Sequence, residues 1–124
     1  MLTIGLSHEV REFVTRDNVA AAVGSGDLEV YATPSMIALM EKAAMECVKA
    51  ELDEGDTTVG TEMSVRHVRG TRIGCEVRAT ALLTAVDGRR LIFEVRACEG
   101  DNEIGLGTHE RFIVNREKFM NRIK

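Results

Sequence analysis

Between Pro34 and Leu52 the chain carries the stretch PSMIALMEKAAMECVKAEL, which has too few polar positions for a helix lying on a surface. It is rich in strong helix formers. At about 100° per residue, Met36, Ile37, Met40, Ala44, Cys47 and Val48 fall on one face. Leu39, Ala43, Met45, Ala50 and Leu52 widen that face, leaving Ser35, Lys42, Glu46 and Lys49 as a narrow polar strip. A surface helix ordinarily presents a narrower apolar stripe, so this one should be enclosed on most sides. Thr33 reads as its N-cap, Pro34 as its first helical residue and Gly55 as the glycine just beyond its end.

The rest of the chain supplies the enclosure. From Thr58 to Arg69, period-two alternation puts Thr61, Met63, Val65 and His67 on one face and Glu62, Ser64 and Arg66 on the other. A second run spans Cys75 to Val86, and Asp87-Gly88 signals a type I′ hairpin. Leu91, Phe93, Val95 and Ala97 then share a face, Gly100-Asp101-Asn102 turns the chain, and a fourth run covers Glu103 to Asn115. Leu6 to about Thr15 reads as a further strand, with a short helix near Val19–Val23. The expected class is α+β, an antiparallel sheet wrapped around one long central helix, with the last three runs as a meander. Residues 1–124 make one domain, because two would leave neither half enough apolar surface to bury. Exposed strand edges would be covered by a second copy, giving a homodimer or a tetramer.

Charge and cysteine usage narrow the function. A net charge of -4 argues against nucleic acid, which calls for a clustered basic face. Arg66, Arg69 and Arg72 do cluster locally; they read as a solvated strand end or as a site for a small anion. No run of 18 apolar residues spans a membrane, and MLTIGLSHEVREF lacks the pattern of a secretory signal, so the expected compartment is the cytoplasm. Cys47, Cys75 and Cys98 are widely spaced, without a CxxC pair, and read as reduced core fillers. His8, His67 and His109 lack the spacing of a zinc site, so no metal is expected.

Four residues stand out as chemistry-bearing. Glu41 lies on the helical wheel between Val48 and Leu52, where an ionised carboxylate is costly unless paired. It is either a structural pair at the edge of the arc or a desolvated carboxylate suited to acid–base work. His67 continues an apolar alternation, as a core histidine or as the partner of that carboxylate. Thr33 is a helix cap or a hydroxyl that positions water or substrate; an eight-residue offset puts it about 12 Å from Glu41 along a helix, too far for direct contact. Gly60, entering a strand, marks a bulge or a close approach to a substrate carbonyl. Gly105 and Gly107 lie in a strand and form no phosphate loop, His109 and Arg111 read as surface or ligand-rim residues, and there is no GxSxG elbow.

The segments ATPSMIALMEKAA, VGTEMSVRH, VDGRRLIFEV and EIGLGTHER, in this order and spacing from about Leu28 to Phe119, resemble the hot-dog thioesterases of the fluoroacetyl-CoA thioesterase kind. The resemblance implies the hot-dog fold and hydrolysis of a small acyl-CoA, with coenzyme A as part of the substrate and no other cofactor. It implies a catalytic group of Thr33, Glu41 and His67, with Gly60 near the thioester, in a dimer with active sites at the subunit interface. Pro34 stands where the characterised enzyme has glycine, Lys42 where it has an aromatic, and the N-terminal region is poor in aromatics. The resemblance therefore implies thioester chemistry and not fluoroacetyl selectivity. Two other functions suit the same fold: a non-catalytic acyl-CoA binder, and an acyl-thioester hydratase or dehydratase, whose helix motif is absent here.

Overall fold

The computed structural model describes residues 1–123. Strand β1 (Ser7–Phe13) and the short helix α1 (Ala20–Val23) lead into helix α2 (Thr33–Lys49). Strands β2 (Asp56–His67), β3 (Glu76–Asp87), β4 (Arg90–Glu99) and β5 (Asn102–Asn115) follow, and helix α3 (Arg116–Arg122) ends the described chain. The five strands form one antiparallel sheet in the order β1-β3-β4-β5-β2, so β3, β4 and β5 are the expected meander. This is the α+β, hot-dog arrangement, the sheet curling around α2. No helix among the described residues is long and apolar enough to cross a membrane.

The core forms where the wide face of α2 meets the inner face of the sheet. Met36, Leu39, Met40, Ala43, Ala44 and Val48 are buried against Val77, Ala79, Ala81 and Leu83 of β3 and Leu91, Phe93, Val95 and Ala97 of β4. Alanines on both sides let the helix approach closely, and the larger side chains fill the remaining space, each worth about 2 kcal/mol on burial. Gly105 of β5 is part of this fit, since a Cβ there would overlap the Met36 thioether. The arc is not fully covered: Ile37, Glu41 and Met45, at helical spacing, are only half-buried. Cys47, Cys75 and Cys98 are free and half-buried rather than core residues.

Three local expectations are corrected. The N-cap of α2 is Ala32, with extended backbone and no side-chain cap; Thr33 and Pro34 are already in the first turn, where proline's missing N–H costs nothing. The helix stops at Lys49, short of Leu52, and Gly55 (φ 85°) turns the chain into β2 rather than capping the helix. The two-residue β3–β4 turn is Gly88-Arg89. Only Gly88 has positive φ (62°), and no non-glycine residue among those described does, so it is the glycine-first type II′ and not type I′. Helix α3 was not anticipated; Asn115 caps it by accepting the Lys118 N–H at 3.0 Å.

Candidate active site

A β-bulge decides which residues of β2 face inward. The register with β5 shifts between Gly60 and Glu62, leaving Thr61 without an opposite residue. In a regular strand Gly60 and His67, seven apart, would face opposite sides. The bulge adds one residue to the count, so Thr58 and Gly60 before it and Met63, Val65 and His67 after it share the inner side. Thr61 is displaced from the face that simple alternation assigns it and instead donates to the Glu110 carboxylate at 2.6 Å.

Gly60 lies under Glu41. A Cβ at Gly60 would come 2.6 Å from Glu41 Oε2 and 3.2 Å from His109 Cε1. Glu41, Gly60, Thr61, Glu62, Met63 and His109 line a cleft of about 240 Å³. Behind the carboxylate stands a network that holds a buried cation. Arg111 Nε donates to Thr58 Oγ1 at 2.8 Å, Nη2 to the Thr58 carbonyl at 3.0 Å and Nη1 to His109 Nε2 at 3.1 Å. Its Nη1 is also 3.6 Å from Glu41 Oε2. The His109 tautomer follows: Nδ1 sits 2.8 Å from the Glu62 carbonyl, which can only accept, so Nδ1 carries the proton and Nε2 accepts from Arg111. Burial pushes the His109 pKa down, and the Arg111 charge adds to this against the Glu62 carbonyl bond, so the ring is neutral near pH 7. Phe93 packs against it, ring centroids 6.2 Å apart.

Thr33 and His67 form a separate pair, Oγ1 to Nδ1 at 2.8 Å. They line a second cleft, of about 300 Å³, with Val30, Tyr31, Val68, Arg69 and Gly70. Burial lowers the His67 pKa, partly offset by the Arg69 backbone, and its Nε2 is buried with no hydrogen-bond partner among the described residues. That atom is a donor or acceptor in search of a group from elsewhere.

The sequence candidates thus fall into two separate clusters. Glu41 and Gly60 meet, and Thr33 and His67 meet. Glu41 and His67 do not share a cleft within the chain, because the seven residues from Gly60 to His67 span roughly 23 Å of strand. Nor is Glu41 deeply buried in the single chain: its side chain keeps 42% exposure. His109 and Arg111, read as surface or rim residues, are instead 2% and 6% exposed and sit beneath the site. The signal was present in their parity, since both alternate with buried Ile113.

A pH experiment tests the His109 assignment. Its folded pKa lies below its unfolded value, so the unfolded chain binds the proton first and stability falls as pH drops below about 6.5. Around the ring stand Glu41, Glu110 and Arg111. We expect Tm to fall between pH 7 and pH 5, with a shallower fall in His109→Gln. Equal slopes in both proteins would contradict the neutral, buried ring.

The fluoroacetyl-CoA-specific thioesterase family model matches residues 14–117. The fluoroacetyl-CoA thioesterase of Streptantibioticus cattleyicolor is 42% identical over 96 residues, 77% of this chain and 69% of that protein. A solved structure of fluoroacetyl-CoA thioesterase superposes with TM-score 0.93 at 32% identity, covering 99% of this chain and 96% of the other. A Thermus thermophilus protein of the thioesterase superfamily superposes with TM-score 0.90 at 26% identity, over 98% and 90% of the two chains.

Proposed function

The chain belongs to the fluoroacetyl-CoA thioesterase family, and from that premise we propose that it hydrolyses a small acyl-CoA to the free acid and coenzyme A, at sites completed by two copies of the chain. The observation that carries the reading is the pair of half-sites, one with a carboxylate held over a strand glycine, the other with a histidine whose inner nitrogen has no partner among the described residues. Strand β2 ends the sheet order and is a free edge of twelve residues. An isologous antiparallel pairing of two β2 edges, with its two-fold axis near Met63 and Ser64, sets Gly60 and Glu41 of one copy beside the partner subunit's His67. Covering this edge also removes a template for uncontrolled strand addition. Three free cysteines suit a reducing compartment such as the cytoplasm, and the uncovered β2 edge suits a homodimer.

In this reading the thioester carbonyl lies over Gly60, whose backbone holds the oxygen as charge develops. Arg111, fixed by Thr58 and His109, stands 3.6 Å from Glu41 Oε2 and orients that side chain in the cleft. Two routes satisfy the geometry. Glu41 takes a proton from water as the water oxygen attacks the carbonyl carbon, or its own oxygen attacks and water cleaves the resulting anhydride. In both the C–S bond breaks and the leaving thiolate takes up a proton that comes in the end from the water consumed; the partner subunit's His67 relays it, and Thr33 fixes that ring. No cofactor beyond the coenzyme A of the substrate takes part. Pro34 after Thr33 and Lys42 after Glu41 change the surroundings of the acyl group, so the acyl chain is not assigned as fluoroacetyl.

The test is release of free thiol from short, medium and aromatic acyl-CoAs by the purified protein. At least one short acyl-CoA should give catalytic turnover. Acyl-CoAs bound but never hydrolysed would favour a binding protein, and a modified product with its thioester intact would favour a hydratase.

A further inference from the structure

Six arginines, Arg11, Arg78, Arg89, Arg90, Arg96 and Arg111, are paired with carboxylates. Arg66, Arg69 and Arg72 are exposed and, among the described residues, have no ion-pair partner. The stretch Arg66–Cys75 contains no acidic residue, in a chain whose net charge is -4. Arg16, Arg116 and Arg122 are likewise exposed and without an ion pair among the described residues, but they are scattered, whereas Arg66, Arg69 and Arg72 concentrate positive charge in one short stretch.

Its position is specific. Arg66 is next to His67 at the end of β2, its side chain on the outer face of the sheet rather than in the cleft. Arg69 lines the cleft that holds Thr33 and His67. Arg72 bridges Val30, and the Thr71 carbonyl accepts the Tyr31 N–H at 2.8 Å, so backbone bonds tie this loop to two more residues lining the cleft. Exposed Val68 adds apolar surface on the same lining. A small acyl group needs no such charge, but the phosphates at the far end of coenzyme A do, and guanidinium forks suit phosphate oxygens.

We propose that Arg66, Arg69 and Arg72 bind the phosphates of coenzyme A, so that the enzyme selects acyl-CoA over the same acyl group on plain pantetheine. The proposal rests on the thioesterase reading for its substrate, and its test keeps the two separable. Titration calorimetry measures coenzyme A binding to the wild-type protein, to R66Q/R69Q/R72Q and to Arg69→Gln alone. Thiol release gives the ratio of kcat/KM for an acyl-CoA to that for the matching acyl-pantetheine. The triple variant should bind coenzyme A at least about tenfold more weakly and lose a similar factor in that ratio. Arg69→Gln should fall between, and added salt should weaken wild-type binding more than that of the triple variant. A folded triple variant with wild-type affinity and ratio overturns the proposal even though hydrolysis proceeds. Should the wild type hydrolyse no thioester while the triple variant still loses coenzyme A binding, the phosphate site stands and the thioesterase reading fails.

Discussion

Replacing Glu41 by glutamine is expected to lower turnover on the best acyl-CoA by a factor on the order of 10² or more. The amide has the shape of the carboxylate, so it still fits over Gly60, where the nearest space is tight. It can neither take a proton from water nor attack the thioester carbon, so both routes are lost together. Folding should survive, because Arg111 keeps its bonds to Thr58 and His109 when Glu41 is neutralised. Circular dichroism checks the fold, and thiol release under saturating substrate gives kcat. A folded Glu41→Gln protein with near-wild-type turnover ends the mechanism, whatever the fold.

The largest expected loss of stability is at a position without chemistry of its own. Gly107 pairs with Val65 of β2 and Val95 of β4, in the middle of the sheet. A Cβ there would overlap the Ser64 carbonyl oxygen and come within 2.6 Å of Val65 Cα. Those are backbone atoms, so no rotamer change relieves the clash, and β2 must lift from β5. The cost of such overpacking is about 3 kcal/mol, which at this chain length lowers Tm by roughly 10 °C. Activity should fall as well, since β2 carries both Gly60 and His67. Gly70→Ala, with nothing within 4 Å of the added methyl, is the control and should leave Tm nearly unchanged. A Gly107→Ala protein as stable as the control would show that the sheet is looser than described.

Much of the fold was legible because it rests on periodicity. The wide apolar face of α2 and the alternation of Leu91, Phe93, Val95 and Ala97 are direct imprints of burial, although Ile37, Met45 and Cys47 are only half-buried and Ala50 is exposed. Boundaries were less legible. Thr33 has the right chemistry for a cap, but tertiary structure uses its hydroxyl on His67, and Ala32 takes the cap position without a side-chain bond. The bulge at Thr61 was hinted at by Gly60, but its consequence, that Gly60 and His67 face the same way, depends on pairing with β5. The buried cation was hidden for a similar reason. An arginine is seldom buried, and the acceptors from Thr58 and His109, distant in sequence or concealed by tautomer, together with the Glu41 carboxylate make it tolerable there. The division of the site into two halves could not be read from one chain's pattern, because it depends on where β2 ends the sheet.

The proposed site is one in which Glu41 of one copy meets the partner subunit's His67 over the acyl-CoA. It is tested most directly by mixing two inactive proteins, Glu41→Gln and His67→Ala, after each has been dissociated and allowed to reassemble together, and then measuring thiol release. In a mixed dimer one site carries both substitutions and the other carries neither. With random reassembly half the dimers are mixed, so activity should recover to about a quarter of the wild-type value. A reassembled mixture as inactive as its parents, with mixed dimers verified by mass, would contradict a site shared between copies.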